Sequence, residues 1–230
     1  INLNRVQEVS AELTALETTL IEAIRTNPVT IAFTDWFNQE WVTHKNSTLK
    51  NKKVTLADAK QEFNPNSGKQ LGNLITWLNL PILDTTDTGA IATGKSIIRD
   101  YLNHTDDADI KALFTAIADL SDIQKITSSF IPALLNSQYD EQTQWWYLFG
   151  NFRLGGTVSG RMSSNSPNLQ NLPSGSKYGK LIKSCFQARD GFLFVGLDFA
   201  ALEAKINALL TRDPEKMKIY LEGYDSHCLN

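Results

Sequence analysis

An aspartate stands where two predicted elements meet near the end of the sequence. Residues 192–197 form a short apolar run that predicts a strand, and residues 200–210 carry apolar side chains at helical spacing. Asp198 lies between them, so its carboxylate would be fixed at a strand–helix junction. Carboxylate oxygens at such a junction can bind Mg²⁺, and they can equally cap the first turn of the helix. From these residues alone both roles stay open.

A second pattern with possible chemistry occupies residues 89–96, which match the phosphate-binding loop of P-loop NTPases in full. In such a loop the backbone amides and Lys95 would surround a triphosphate, and Ser96 would bind magnesium. The motif requires a buried strand that runs into Gly89, but residues 84–88 are polar throughout. We therefore expect a surface loop that ends at the start of a helix, with an NTPase as an alternative function.

Charge is distributed unevenly along the chain, whose formal net charge is −3. No Asp or Glu occurs from residue 142 to residue 189. The basic residues inside that segment are Arg153, Arg161, Lys177, Lys180, Lys183 and Arg189. Such a segment can form a basic face that meets phosphates, and it can also be a chance gap in the acidic residues.

The elements that would position these groups are mostly helical in the first part of the chain. Apolar residues at three- and four-residue spacing predict one long helix that ends at Asn27 and Pro28, and a second from its N-cap Ser67 to Trp77. Further helices are predicted over residues 93–103, 106–119 and 121–136. After Asp140 the composition changes, so that residues 145–149 predict a strand and residues 155–179 predict turns and loops.

Composition excludes several classes of protein. No run of 18 or more apolar residues occurs, and the first residues do not have the pattern of a secretory signal. Cys185 and Cys228 are far apart and lack nearby histidines, so they fit neither a zinc site nor a disulfide framework. We expect reduced thiols in an intracellular protein.

Two segments carry a more specific pattern. Residues 157–164 contain Gly160 and Arg161 and lead through Asn168 and Gln170 to residue 173, while residues 197–203 contain Asp198 and are followed by residues 223–227. In this order and spacing they resemble the motifs of family A DNA polymerases, the class of bacterial polymerase I and several phage replicases. Residues 63–71, 80–81, 88–93 and 125–130 resemble the thumb of that family. The resemblance covers nearly the whole chain.

The resemblance implies an α+β fold with a helical thumb subdomain over residues 1–138. An incomplete palm, with a short antiparallel sheet and flanking helices, would follow over residues 139–230. The implied activity is DNA-directed DNA synthesis, in which a primer 3′-hydroxyl is extended by two-metal-ion nucleotidyl transfer. The implied cofactor is Mg²⁺, with two ions in the complete site, and the implied partners are primer-template DNA and dNTP.

The resemblance also assigns roles to individual residues. Asp198, with the backbone carbonyl of Phe199, would hold the metal ions. Glu203 resembles the steric gate that excludes a ribose 2′-hydroxyl, and His227 matches the histidine that contacts the triphosphate. The DNA-binding positions are Arg161, Asn168 and Gln170 in the minor groove, where donors can test base-pair geometry, and Lys183 on the backbone phosphates.

The sequence departs from the common family pattern at Ala200 and Ala201, where many members have Ser-Gln, and at Lys205, where arginine is common. These changes favour a phage-type branch. They put the finer contacts around Glu203 in doubt more than the metal role of Asp198.

The family also needs a second metal-binding aspartate and a fingers helix, which the chain does not contain. We therefore expect this polypeptide to be inactive alone and to require a C-terminal palm and fingers polypeptide in the cytoplasm of a bacterial or phage-infected cell. A split gene, an intein, proteolysis and a designed fragment are alternative origins of such a chain. The alternative function is a noncatalytic module that binds duplex DNA.

Overall fold

A computed structural model describes residues 1–49, 53–173 and 178–223. The chain forms two compact units, Ile1–Gln187 and Ala188–Asn230. Helices predominate, and the described strands form two small antiparallel sheets, which confirms the α+β class. The predicted division into subdomains at residues 138 and 139 falls inside the first unit, and that division stays a prediction.

Two long helices open the first unit, and one asparagine separates them. Helix α1 spans Leu3–Thr26 and helix α2 spans Pro28–Thr48. The side-chain oxygen of Asn27 accepts from the Val29 backbone N–H at 2.9 Å and so caps α2, while its amide nitrogen donates to the Asp109 carbonyl at 3.0 Å. The predicted end of the first helix is confirmed, because Pro28 cannot continue α1 but fits the first position of α2.

The third helix begins where its capping residue predicts. Helix α3 spans Gly68–Trp77, and the Ser67 hydroxyl accepts from the Gln70 N–H at 3.3 Å. Helix α4 spans Lys95–Asp100 and continues into a 3₁₀ turn over Tyr101–Asn103. These helices, together with α2 and the next helix, form the larger core. Its residues include Phe33, Leu74, Ile98, Tyr101 and Phe114.

The next helix is longer than the sequence predicted. Helix α5 spans Ala108–Lys125 without a break, followed by a π-helical turn over Ile126–Phe130 and helix α6 over Ile131–Leu135. The predicted break at residue 120 is wrong. Leu120 is buried in the same core as Leu113, and Ile123 is buried in the second core, so packing on both sides of residue 120 favours one continuous element there.

Four short strands follow in two hairpins. Strand β1 (Gln138–Asp140) pairs with β2 (Trp145–Tyr147), and β3 (Asn151–Arg153) pairs with β4 (Ser163–Asn165), both antiparallel. The predicted strand at residues 145–149 is confirmed over its first three residues. The segment predicted as loop also contains β4, a 3₁₀ turn over Leu169–Asn171 and the start of helix α7 (Gly179–Lys183).

A second core ties α7 to the first helix. Val6, Val9 and Leu13 of α1 are fully buried in one cluster with Phe130 and Ile182. The Asn2 N–H also donates to the Cys185 carbonyl at 3.0 Å. The segment from Tyr178 to Cys185 is therefore packed against the helical part of the unit.

The second unit contains helices α8 (Leu202–Thr211) and α9 (Pro214–Leu221), and the Asp213 side chain caps α9. The predicted strand at residues 192–197 is wrong, since this segment is exposed and forms no ladder with any strand in the described residues. An apolar run becomes a strand only where a neighbour pairs with its backbone. The apolar side chains predicted to face inward from α8 are also exposed, with Leu209 at 60%.

No helix in the described ranges is both long and apolar enough to cross a membrane.

Candidate nucleic-acid interface

The first part of the candidate site is the loop that joins β3 to β4. Gly160 has a φ of +75°, a left-handed conformation that favours glycine, and its N–H donates to the Thr157 carbonyl at 3.1 Å. The Thr157 hydroxyl donates to the Arg161 carbonyl at 2.9 Å. These bonds fix the backbone of Arg161, whose side chain is exposed. The loop therefore carries an exposed basic residue at the end of the hairpin where the two strands are connected.

The second part consists of β4 and the turn that follows it, where three polar residues are joined. The Ser164 hydroxyl donates to Oδ1 of Asn168 at 2.8 Å and accepts from the Gln170 N–H at 3.2 Å. Ser164 is buried, Asn168 is half-buried and Gln170 is exposed. Of the predicted DNA-binding residues, the structure thus brings Asn168 and Gln170 together around one serine.

Lys183 is the last residue of α7, and it is exposed. Its helix is anchored by Ile182, which is fully buried beside α1. The Ser184 hydroxyl accepts from Nε of Arg5 at 3.0 Å, which adds a second tie to α1. The lysine therefore extends from a fixed backbone in the same compact unit as Arg161, Asn168 and Gln170.

The predicted catalytic residues belong to the second unit. Asp198 and Phe199 lie in the exposed segment before α8, not at the end of a strand. The predicted strand–helix junction, which would hold the Asp198 carboxylate in place, is therefore not formed. Glu203 lies in the first turn of α8, where the helix dipole favours a negative side chain. His227 lies outside the described residues.

The described residues do not complete a metal site. Among them, no three His, Cys, Asp or Glu side chains are grouped so that they could hold an ion. Asp198 and the Phe199 carbonyl offer the hard oxygen atoms that Mg²⁺ prefers. Further oxygen ligands would have to join them before an ion could be held.

The P-loop-like segment does not form a nucleotide site. Residues 84–92 make a tight turn, in which the Thr86 N–H donates to the Ala90 carbonyl at 2.8 Å, and no strand enters Gly89. Nζ of Lys95 donates to Oδ1 of Asp122 at 2.6 Å. The lysine that would hold a phosphate is thus engaged by a carboxylate. The expectation of a loop that ends at a helix start is confirmed, since α4 begins at Lys95.

Comparison with known proteins identifies the family of this chain. The sequence model of DNA polymerase family A matches residues 37–229. The chain belongs to DNA polymerase family A. Both segments that carried the resemblance, residues 157–173 and 197–203, lie inside the match.

Curated relatives from bacteria agree with the family assignment. DNA polymerase I of Streptococcus pneumoniae is 32% identical over 176 residues, and that alignment covers 74% of this chain and 18% of the relative. The thermostable DNA polymerase I of Thermus aquaticus is 29% identical over 167 residues, with coverages of 72% and 19%. DNA polymerase I of Pseudomonas aeruginosa is 26% identical over 170 residues, with coverages of 74% and 18%. The chain therefore spans less than a fifth of the length of these relatives.

A solved structure shares the fold. The POL domain of Pol1 from M. smegmatis, in complex with DNA primer-template and dNTP, superposes with a TM-score of 0.68 at 20% sequence identity. The match covers 99% of this chain and 33% of that chain.

Sequence reasoning missed Ser164, which joins the two family A positions that it did find. The sequence pattern that could have indicated Ser164 is the i, i+4, i+6 spacing of a serine, an asparagine and a glutamine within residues 164–170. That spacing gives no single face of a helix or strand. Only the turn after β4 brings the three groups within hydrogen-bonding distance.

Proposed function

We propose that this chain supplies the thumb and the first part of the palm to a DNA-dependent DNA polymerase. The activity would be extension of a primer 3′-hydroxyl along a template, with primer-template DNA and dNTP as substrates, in the cytoplasm. The observation that carries the proposal is the unbroken family match from residue 37 to residue 229, which includes both motif segments. The structural likeness over 99% of the chain supports it.

The first compact unit would bind the duplex. Arg161 and Gln170 are exposed, and Ser164 joins the Asn168 side chain to the backbone of Gln170. All three side chains can donate hydrogen bonds, and every base pair presents acceptors in the minor groove. Donors there would accept any sequence and would test the geometry of each pair. Lys183 would add a phosphate contact, which favours binding at low salt.

The second unit would contribute to the chemistry. We assign Asp198 and the Phe199 carbonyl as metal ligands, Glu203 as the gate against a 2′-hydroxyl, and His227 as a triphosphate contact. Magnesium, when bound, lowers the pKa of the primer hydroxyl and neutralises the leaving pyrophosphate. The residues of this chain would hold the nucleotide and orient it against the primer end.

The remaining palm and fingers residues would have to complete this site. The comparisons lend no support to a separate polypeptide as their source, because the aligned part is less than a fifth of each of these three relatives. We keep two-metal catalysis as the proposed mechanism for the complete enzyme. The phage-type branch stays a prediction, since these relatives are bacterial.

Substitution of Asp198 tests catalysis against the alternative of a noncatalytic module. The variant Asp198→Ala is made in the complete enzyme, with the rest of palm and fingers present. We expect it to abolish primer extension, because loss of a metal ligand removes transition-state stabilisation. The affinity for primer-template DNA should change less than about threefold. Asp190→Ala is the matched control, since Asp190 is also an exposed aspartate of the second unit. Full activity of Asp198→Ala would contradict the catalytic role and favour the noncatalytic module.

A further inference from the structure

Ser164 is a buried hydroxyl at the centre of the candidate DNA-binding residues. It lies in the middle of β4, opposite Phe152 of β3, and is 7% exposed. Its two hydrogen bonds reach forward along the chain, to the side chain of Asn168 and to the backbone of Gln170. No role in binding or catalysis was assigned to it by its motif.

The two hydrogen bonds of Ser164 constrain the direction of the Asn168 amide. A hydroxyl group has one proton to donate, and Oγ of Ser164 uses it on Oδ1 of Asn168 while a lone pair accepts from the Gln170 N–H. The carbonyl oxygen of the Asn168 amide is therefore engaged by the serine. Its Nδ2 group, a donor only, is the part of the amide left to face other partners.

This orientation matters because the minor groove presents acceptors. Adenine N3 and thymine O2 accept hydrogen bonds there, and an amide oxygen directed at them would be repelled. An asparagine that can rotate by 180° would present its donor group only part of the time. A hydroxyl that holds the oxygen removes that ambiguity before DNA arrives.

We propose that Ser164 is a positioning residue for minor-groove recognition, which sets Asn168 with its amide nitrogen outward and fixes the backbone of Gln170. The proposal rests on the proposed function, because it takes Asn168 and Gln170 as DNA-binding residues. It adds that the specificity for minor-groove acceptors depends on a residue that does not itself touch the DNA.

The first test uses the 230-residue chain and two duplexes. Affinity for a primer-template is measured by fluorescence anisotropy, with normal DNA and with DNA in which 3-deazaadenine replaces adenine and so removes the N3 acceptor. We expect Ser164→Ala to weaken binding to normal DNA by about two- to tenfold, the range for one hydrogen bond. On the 3-deazaadenine duplex, which lacks adenine N3 but keeps thymine O2, the same change should have a smaller effect than on normal DNA, because fewer acceptors remain for the amide nitrogen.

Three further variants separate positioning from general loss of structure. Asn168→Ala should weaken binding as Ser164→Ala does, and the loss in the double variant should be less than the sum of the two single losses, because both changes affect the Asn168 contact. Ser163→Ala is the matched control, since Ser163 is the adjacent serine of β4 and its hydroxyl lies against Gly156. It should bind as the unaltered chain does. Additive effects in the double variant would overturn the proposal.

A measurement without DNA tests the hydrogen bond itself. In ¹⁵N-labelled chain, Ser164→Ala should shift the side-chain amide resonances of Asn168 and the backbone amide of Gln170, while Ser163→Ala should shift neither. Unchanged resonances in Ser164→Ala would overturn the positioning role. Failure of the unaltered chain to bind primer-template DNA would instead contradict the proposed function, so the two failures are distinguishable.

Discussion

Lys95 and Asp122 form an ion pair between α4 and α5, with 2.6 Å between Nζ and Oδ1. The other carboxylate oxygen of Asp122 accepts from Arg99 at 3.0 Å, so one aspartate holds two cations of the shorter helix. Asp122 is 8% exposed. The lysine of a sequence that matches a phosphate-binding loop thus has a structural role between two helices of the first unit.

Loss of the Asp122 carboxylate should destabilise the first unit. We expect Asp122→Asn to lower the free energy of unfolding by about 1–3 kcal/mol, because both cations lose a charged acceptor at a mostly buried site. Urea denaturation measures this. Asp106→Asn is the matched control, since its pair with Lys111 is 3.6 Å long and solvent-exposed, and its cost should stay below about 1 kcal/mol. Equal costs in the two variants would contradict the structural role of Asp122.

Gly179 should tolerate no side chain. A Cβ at this first residue of α7 would lie 2.5 Å from the Pro173 carbonyl oxygen, and a backbone atom cannot move aside easily. We expect Gly179→Ala to cost about 1–3 kcal/mol in thermal or urea unfolding.

Gly150 offers a comparison for that experiment. A Cβ there would meet Cδ1 of Leu169 at 2.9 Å, the far end of a flexible side chain that can rotate away. Gly150→Ala should therefore cost less than about 1 kcal/mol. If Gly150→Ala were the more harmful change, the close approach of α7 to Pro173 would be in doubt.

The thiol of Cys185 should react slowly and make stability depend on pH. Burial raises its pKa above the ordinary value of 9.0, because the buried thiolate is disfavoured. The folded chain then binds the thiol proton more tightly than the unfolded chain does. This contribution to stability is present below pH 9.0 and is lost as pH rises from there towards the folded pKa.

Two measurements check the Cys185 prediction in a Cys228→Ser background, where one thiol remains. Reaction with Ellman's reagent should be at least about tenfold slower in the folded chain than in denaturant, because the thiolate is the reactive form. The fall in unfolding free energy above pH 9.0 should be smaller in Cys185→Ala. Rapid labelling of the native chain would contradict the buried position.

Lys183 should contribute to DNA affinity through charge alone. We expect Lys183→Ala to weaken binding of primer-template DNA regardless of its sequence. The slope of the logarithm of the binding constant against the logarithm of the salt concentration should become shallower by about 1, because one phosphate contact is lost. Binding titrations at several salt concentrations measure the slope. Lys111→Ala is a control from α5, where the side chain pairs with Asp106, and it should leave the slope unchanged.

The sequence predicted best those elements that neighbouring residues determine. Ser67 caps α3 as predicted, because a cap needs only the next three residues, and the first helix ends at Asn27 and Pro28 as predicted. The break predicted at residue 120 was wrong, since burial of Leu120 depends on helices distant in sequence. The strand predicted at residues 192–197 was wrong for the same reason, because a ladder requires a partner that local composition cannot supply.

In the candidate site, too, local sequence motifs could be predicted and contacts that depend on the fold could not. Family motifs predicted Asn168 and Gln170 as DNA-binding residues, and the structure joins them through one serine, while Arg161 and Lys183 are exposed. The serine between Asn168 and Gln170 was not predicted, because its hydrogen bonds form only after the β3–β4 hairpin has set the direction of the following turn. The junction proposed for Asp198 depended on the strand that did not form.

Helix α5 contacts α1, α2 and α4, and eight of its residues are buried. Amide protons in its middle can exchange with solvent only when all three neighbours separate, which amounts to unfolding of the helical region. Within the part of the chain that the structure describes, the three-residue strands β3 and β4 pair only with each other, so they can open locally. Deuterium uptake should therefore be slowest in α5 and fast in the hairpin, so the segment that would meet DNA can adjust while its support stays rigid.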